Sequence, residues 1–177
     1  QGYACDMDKN TGVLSVGSPQ KLHIIVFTSS NDQDAPPTVN VKEINNGDTF
    51  NDCKVNENTI IYTDSSSYVK VWERTNPNVN EWKLVKTYDN YTRGIALYGD
   101  SLVCKPTNDT NKFHLFERFD GVWSDTPSAI FTLPNSTYGG HGMELFENYL
   151  LIGTTNTSGK SYLYKRTDGV WNTSDEQ

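Results

Sequence analysis

The sequence predicts an all-β, β-propeller-like fold of four repeats, each about 45 residues long and each a four-stranded antiparallel blade, with the last blade incomplete. Three observations predict it. One pattern recurs along the chain, no ten-residue stretch has the 3.6-residue period of a helix, and the third strand of each repeat carries large apolar groups on both faces. Aligning Leu14, Ile60, Leu102 and Leu150 gives steps of 46, 42 and 48 residues, a period typical of propellers.

The repeats divide the 177-residue chain at regular points, within what we expect to be a single domain. Their approximate bounds are 1–47, 48–90, 91–137 and 138–177. The predicted strands are 4–8, 13–17, 22–27 and 38–44; 52–56, 59–63, 68–74 and 82–88; 94–98, 101–105, 112–118 and 128–133; and 143–146, 149–153 and 161–166.

The faces of the third strands indicate how the sheets pack. Side chains alternate along a strand, so Val69 and Val71 point one way and Trp72 the other. Leu163 is likewise opposed to Tyr162 and Tyr164. A sheet that is apolar on both sides fits a blade stacked between blades better than a sandwich strand.

The final repeat lacks a fourth strand in this prediction, because only 172–177 follow Trp171. An unpaired edge is a template for another chain, and a head-to-tail contact that does not close gives a filament. We expect a homo-oligomer or polymer in which neighbouring copies complete each other's blade. The alternative is a fragment of a longer propeller, or a disordered tail.

Charge and composition argue against several classes of partner. A net charge of −7 and a pI near 4.9 argue against nucleic acid as a partner, since phosphate binding needs clustered Lys and Arg. No run of eighteen apolar residues is present, so we expect no membrane span. We also expect no cofactor and no metal.

The repeat signature resembles a known family. Repeat three reads Gly-Ile-Ala-Leu-Tyr-Gly-Asp-Ser-Leu-Val from Gly94, followed by an aromatic-rich strand that ends in Phe116-Glu117-Arg118 and then by Trp123. This order is similar to the FG-GAP, integrin-alpha-like propeller repeat, of which the chain resembles a divergent, four-repeat form. The resemblance implies an extracellular binding or structural module and transfers no active site.

Five N-glycosylation sequons are present, where about three would arise by chance from 18 Asn. We expect the loops that hold the first four to share one face of the blades, and N-glycans to be covalent partners. The acceptors are Asn90, Asn108, Asn135, Asn156 and Asn172.

The three cysteines form neither a disulfide scaffold nor a zinc site. Cys5 and Cys53 occupy equivalent positions in repeats one and two, so a disulfide between them is one interpretation and buried free thiols the other. Cys104 is predicted to pack in a core. The segment Asp6-Met7-Asp8 resembles the start of a calcium loop, but the later positions lack carboxylates and favour a polar turn.

No catalytic set emerges from the sequence, and we expect no enzyme. His23 and His114 lie in predicted strands, and His141 lies among glycines without a partner nearby. Asp64 and Asp109, at the same end of adjacent blades, are the pair of carboxylates that a glycosidase reaction would use. We therefore expect a secreted structural or adhesive glycoprotein that assembles with itself, and the alternative is a monomeric carbohydrate-binding propeller.

Overall fold

A computed structural model describes residues 2–8, 11–16, 21–28, 38–44, 50–76, 79–134, 139–154 and 159–174. These parts of the chain contain strands and turns and no helix, as predicted. Two predicted glycosylation sites, Asn135 and Asn156, lie outside the described residues, as do the side chains of Cys5 and His141.

The chain divides into two compact units, residues 1–87 and 88–177. The single domain expected from the repeats stays a prediction. Each unit is built from two antiparallel sheets, and each sheet corresponds to one repeat. The predicted all-β, propeller-like arrangement of four blades is therefore confirmed.

The first unit holds sheets one and two. Sheet one is ordered β1 (Gly2–Met7), β2 (Thr11–Val16), β3 (Lys21–Thr28) and β4 (Thr38–Ile44). Sheet two is ordered β5 (Phe50–Asn56), β6 (Thr59–Asp64), β7 (Tyr68–Asn76) and β8 (Glu81–Asp89), whose end crosses the division between the units. Leu22, Ile24 and Val26 of β3 are buried in one core with residues of β5 and β6.

The second unit holds sheets three and four. Sheet three contains β9 (Tyr91–Tyr98), β10 (Ser101–Pro106), β11 (Lys112–Phe119), β12 (Val122–Trp123) and β13 (Ala129–Thr132). Sheet four is ordered β14 (Gly139–Phe146), β15 (Tyr149–Thr154), β16 (Ser161–Thr167) and β17 (Val170–Trp171). Phe131 contacts both Tyr164 and Trp171, with ring centroids 4.9 and 5.6 Å away, so the two sheets share an aromatic core.

Short strands occupy the fourth position of sheets three and four. β12 pairs with β11 at Arg118 and Phe119, and β13 pairs with β11 at residues 112–115. The fourth position of sheet three is thus filled in two pieces. Sheet four has the first piece, β17, a short strand that the sequence did not predict. Among the described residues, nothing in sheet four corresponds to β13.

In sheets two, three and four, an arginine near the end of the third strand ties that strand to the first hairpin turn. The backbone N–H groups of Arg74, Arg118 and Arg166 each donate to a carbonyl in the turn between the first two strands of the same sheet, all at 2.8 Å.

The tryptophans of the repeat signature are buried, as expected of groups with a large apolar surface. They are Trp82, Trp123 and Trp171.

Acidic side chains of the first hairpin connect sheet one to sheet two. Asp6 Oδ2 accepts the Val55 N–H at 2.8 Å, and Asp8 Oδ2 accepts the Glu57 N–H. A carboxylate that accepts a backbone N–H makes one of the stronger hydrogen bonds available. The acidic segment that resembled a calcium loop therefore joins β1 and its turn to β5.

Candidate functional site

One face of sheet four holds exposed apolar side chains beside the charged Glu144 and Lys165. Phe146 lies opposite Tyr149 across β14 and β15, and Leu151 lies opposite Leu163 across β15 and β16. Leu151 and Leu163 are 44% and 42% exposed, and both aromatic rings are exposed as well. We call these four side chains the open face of sheet four. A contiguous apolar patch of this kind marks an interaction surface more often than a scattered one does.

The other face of sheet four is covered by sheet three. Leu150, Ile152 and Tyr164 are completely buried in the core that the two sheets share. The predicted apolar character of both faces of the third strand is confirmed for β16, but only one of these faces is packed against protein.

The outer edge of β16 is also open over part of its length. In sheet three, the Leu115 carbonyl accepts the Ser128 N–H at 2.8 Å, beside the strand pairing between β11 and β13. Leu163 is equivalent to Leu115, because Phe116 pairs with Leu102 as Tyr164 pairs with Leu150. In the described part of the chain, β17 pairs with β16 only at Arg166 and Thr167. No described strand lies beside Leu163 on that edge.

Sheet one has an open face of its own. Val41 pairs with Ile25, and Glu43 pairs with His23, so these side chains share one face of the sheet. Val39 and Val41 are 51% and 58% exposed, and Ile25 is partly exposed. We call Ile25, Val39 and Val41 the open face of sheet one. Its polar border is an ion pair between Lys21 and Glu43 at 3.0 Å, with the His23 Nε2 3.9 Å from the same carboxylate.

Three predicted glycosylation sites are described, and all three are exposed: Asn90, Asn108 and Asn172. Asn90 forms the turn between β8 and β9 with a φ of 66°, and its carbonyl accepts the Thr107 N–H at 2.9 Å. The loops of Asn90 and Asn108 therefore lie together at one end of sheet three. Asn172 follows β17, and its Oδ1 accepts the Ser174 N–H at 3.2 Å.

The two carboxylates considered for glycosidase chemistry each have structural partners. Asp64 is buried, its Oδ1 accepts the N–H groups of Ser66 and Tyr68 at 3.0 Å, and its Oδ2 lies 3.1 Å from Lys70 Nζ. Asp109 forms an ion pair with Lys112 at 2.8 Å, and this hydrogen bond holds the pKa of Asp109 below its usual value. The two carboxylates belong to different units of the chain.

An aromatic and polar cluster joins Tyr88, at the end of β8, to Tyr91, Cys104 and His114 of sheet three. His114 Nδ1 and the Tyr91 hydroxyl are 2.8 Å apart, and the Tyr88 hydroxyl donates to the Ser124 carbonyl at 2.9 Å. Burial raises the pKa of both tyrosines and lowers that of His114. Cys104 is fully buried, which raises the pKa of its thiol and confirms its predicted place in a core. Tyr88 and Cys104 are buried, whereas Tyr91 and His114 are partly exposed, and the cluster packs the end of β8 against sheet three.

The predicted disulfide stays a prediction. Cys53 on β5 is buried in the core of the first unit, whereas the side chain of Cys5 is not described. The hydrogen bond from Val55 to Asp6 shows that β1 and β5 approach closely at the residues next to the two cysteines.

Within the described residues, no three His, Cys, Asp or Glu side chains lie close enough together to hold a metal ion. No described helix is long and apolar enough to cross a membrane.

Comparisons with known proteins define the fold class and nothing narrower. No family profile matches the chain, and no curated protein matches it in sequence. Solved structures match it in fold, at identities of 12% or less among those compared below.

The β-propeller domain of Cps50 (Swd1) from Myceliophteria thermophila has a TM-score of 0.62 and 11% identity, over 94% of this chain and 54% of that one. BamB from Moraxella catarrhalis has a TM-score of 0.52 and 12% identity, over 95% and 51%. The computationally designed protein Ika4 has a TM-score of 0.59 and 9% identity, over 94% and 92%. The chain thus spans about half the length of the two natural proteins and nearly all of the designed one.

Proposed function

We propose that this protein is an extracellular, non-enzymatic structural or adhesive glycoprotein that assembles with copies of itself. The open edge of β16 carries this proposal, because Leu163 has no described strand beside it where Leu115 has β13. An exposed strand edge binds another strand through main-chain hydrogen bonds. A strand from a neighbouring copy is the proposed occupant.

The secreted location is supported by the exposed sequons. Asn90 and Asn108 lie together at one end of sheet three, and Asn172 is exposed after β17. Sugar on Asn90 and Asn108 would lie on loops of sheet three, whereas Asn172 lies beside the outer edge of β16, since its N–H donates to the Lys165 carbonyl at 2.9 Å. The repeat signature supports placing the blades among divergent FG-GAP, integrin-alpha-like repeats, which agrees with an extracellular role.

Light scattering combined with an edge variant tests the self-assembly. Ser161→Pro removes an N–H group at the open edge of β16, at the position equivalent to Phe113 in β11. We expect the wild-type protein to form multi-copy species and Ser161→Pro to form fewer of them at the same concentration. Ser161→Ala, which keeps the N–H group, is the matched control. Assembly by Ser161→Pro to the wild-type extent would contradict an edge contact.

Carbohydrate binding is a second candidate, favoured by one observation. Phe146 and Tyr149 are exposed cross-strand neighbours, and Lys165 Nζ lies 5.8 Å from the Tyr149 ring centroid. Aromatic rings beside a polar group suit the apolar face and the hydroxyls of a sugar. Saturable binding on a glycan array, lost in Tyr149→Ala, would support this candidate over the structural one.

A further inference from the structure

The blade-to-blade packing inside the second unit provides a template for the open face of sheet four. Val103 on β10 and Leu115 on β11 are both 0% exposed in the core that sheets three and four share. They are cross-strand partners, as Leu151 and Leu163 are in sheet four. Sheet three therefore packs against sheet four through two apolar residues whose equivalents in sheet four, Leu151 and Leu163, are also apolar but exposed.

Sheet one contributes the same position to its own core. Leu14 and Leu150 are equivalent in the repeats, and they pair with His23 and Tyr164 in turn, so His23 is equivalent to Tyr164. Leu22 directly precedes His23 and is therefore equivalent to Leu163 and Leu115. Leu22 is 0% exposed in the core shared with sheet two. In both units, this position is thus used to bury one sheet against the sheet that follows it in the chain.

The surface that receives this contact is equivalent to the open face of sheet one. The face of sheet four that packs against sheet three holds Tyr164, and the Tyr164 side chain is completely buried. His23 is the equivalent residue in sheet one, and it shares its face with Ile25 and Val41. The receiving surface of sheet one is therefore partly apolar and is exposed rather than packed.

Each open face carries charged side chains of both signs. In sheet four, Lys165 is exposed at the position equivalent to Glu117 of sheet three, and Glu144 is exposed opposite Leu151. In sheet one, Glu43 forms an ion pair with Lys21 on the same face. The choice of the sheet one face as the partner therefore rests on the equivalence of its position with the packed face of sheet four.

We propose that the open face of sheet four binds the open face of sheet one of a second copy of this chain, so that copies associate head to tail by stacking blade on blade. This proposal rests on the self-assembly proposed above and names the surfaces involved. The two faces differ, so the contact is heterologous, and repeating it gives a filament or a ring. The open edge and the open face belong to the same sheet, and one neighbouring copy can cover both.

Sedimentation velocity on three single variants tests the proposal. Leu163→Glu places a carboxylate in the centre of the sheet four contact, and Val41→Glu does the same in sheet one. We expect each to raise the apparent Kd of assembly at least about 100-fold, because a buried unpaired charge is costly. Ile130→Glu is the matched control, since Ile130 is a strand residue of the same unit with a comparable exposure of 45%. It is expected to assemble like the wild type.

Mixing the two blocked variants tests the direction of the contact. Leu163→Glu keeps a native sheet one face, and Val41→Glu keeps a native sheet four face, so an equimolar mixture is expected to form a 1:1 dimer that cannot extend. If Val41→Glu alone still dimerises while Leu163→Glu does not, sheet four binds itself and the proposal is overturned.

Two further outcomes separate this inference from the proposed function. Assembly of Leu163→Glu at the wild-type Kd would overturn the face contact and leave self-assembly standing through another surface. A wild-type chain that stays monomeric up to about 100 μM, well above the Kd of a stable complex, would overturn both. In that case, the face would be covered by another occupant, such as a further blade or a different protein.

Discussion

At the scale of single residues, the buried ion pair between Asp64 and Lys70 is the polar contact whose loss is expected to lower the free energy of unfolding most. Its carboxylate receives two backbone N–H groups and the Lys70 ammonium, and the Lys70 side chain is only 16% exposed. The sequence marked Asp64 as a catalytic candidate because it is acidic and near a strand end. Its three partners could not be foreseen, since they depend on how the turn after β6 folds back onto the carboxylate.

Asp64→Asn is expected to lower the free energy of unfolding by about 3 kcal/mol, because it leaves the partly buried Lys70 ammonium without its counter-ion. Urea denaturation at pH 7 measures this loss. Asp109→Asn, which breaks an exposed ion pair with Lys112, is the control and should change stability little. A loss for Asp64→Asn no larger than that of the control would show that the buried pair contributes no more than a surface one.

His114 gives the protein a dependence on pH. Burial, with a further contribution from Lys112, lowers the pKa of His114 below its usual value of about 6.5, so between the two pKa values the unfolded chain binds more protons than the folded one. Stability is therefore expected to fall as the pH falls through about 6.5. His114→Gln should show a smaller fall in the urea midpoint between pH 7.5 and pH 5.5. Equal falls in the two proteins would assign the pH dependence to other groups.

At the scale of secondary-structure elements, the Asp-Gly turns determine how two of the sheets end. Asp120 and Gly121 have φ values of 49° and 78°, and Asp168 and Gly169 have 50° and 79°. Two consecutive positive φ values are typical of the tight hairpin turn that Asp-Gly favours. These turns lead into β12 and β17. The dipeptide was visible in the sequence, but two-residue strands are shorter than the apolar runs by which strands are usually recognised.

Gly169→Ala is expected to destabilise the protein by about 1 kcal/mol, because an L side chain at this φ is strained. No atom lies within 4 Å of the added methyl group, so the cost is conformational. Gly142→Ala is the control, since that position is equally open and has no positive φ. Thermal or urea unfolding of the two variants measures the difference. A similar effect in both would mean that the turn is not held in its left-handed conformation.

At the scale of the whole molecule, the 42- to 48-residue period predicted the four sheets, and every predicted strand is present, most of them with shifted ends. Periodicity records what all the blades share. It could not show that Leu115 is buried while Leu163 is exposed, because the two leucines have the same place in the pattern and differ only in what lies opposite. The open faces therefore required the structure.

The self-assembly is tested most directly by negative-stain electron microscopy of native material at physiological salt, with light scattering on the same sample. Head-to-tail contacts through the open faces and the open edge predict regular filaments with one chain as the repeating unit, or rings of several chains if the contact closes on itself. Uniform particles near the mass of a single 19.9 kDa chain would contradict self-assembly and favour a monomeric binding module.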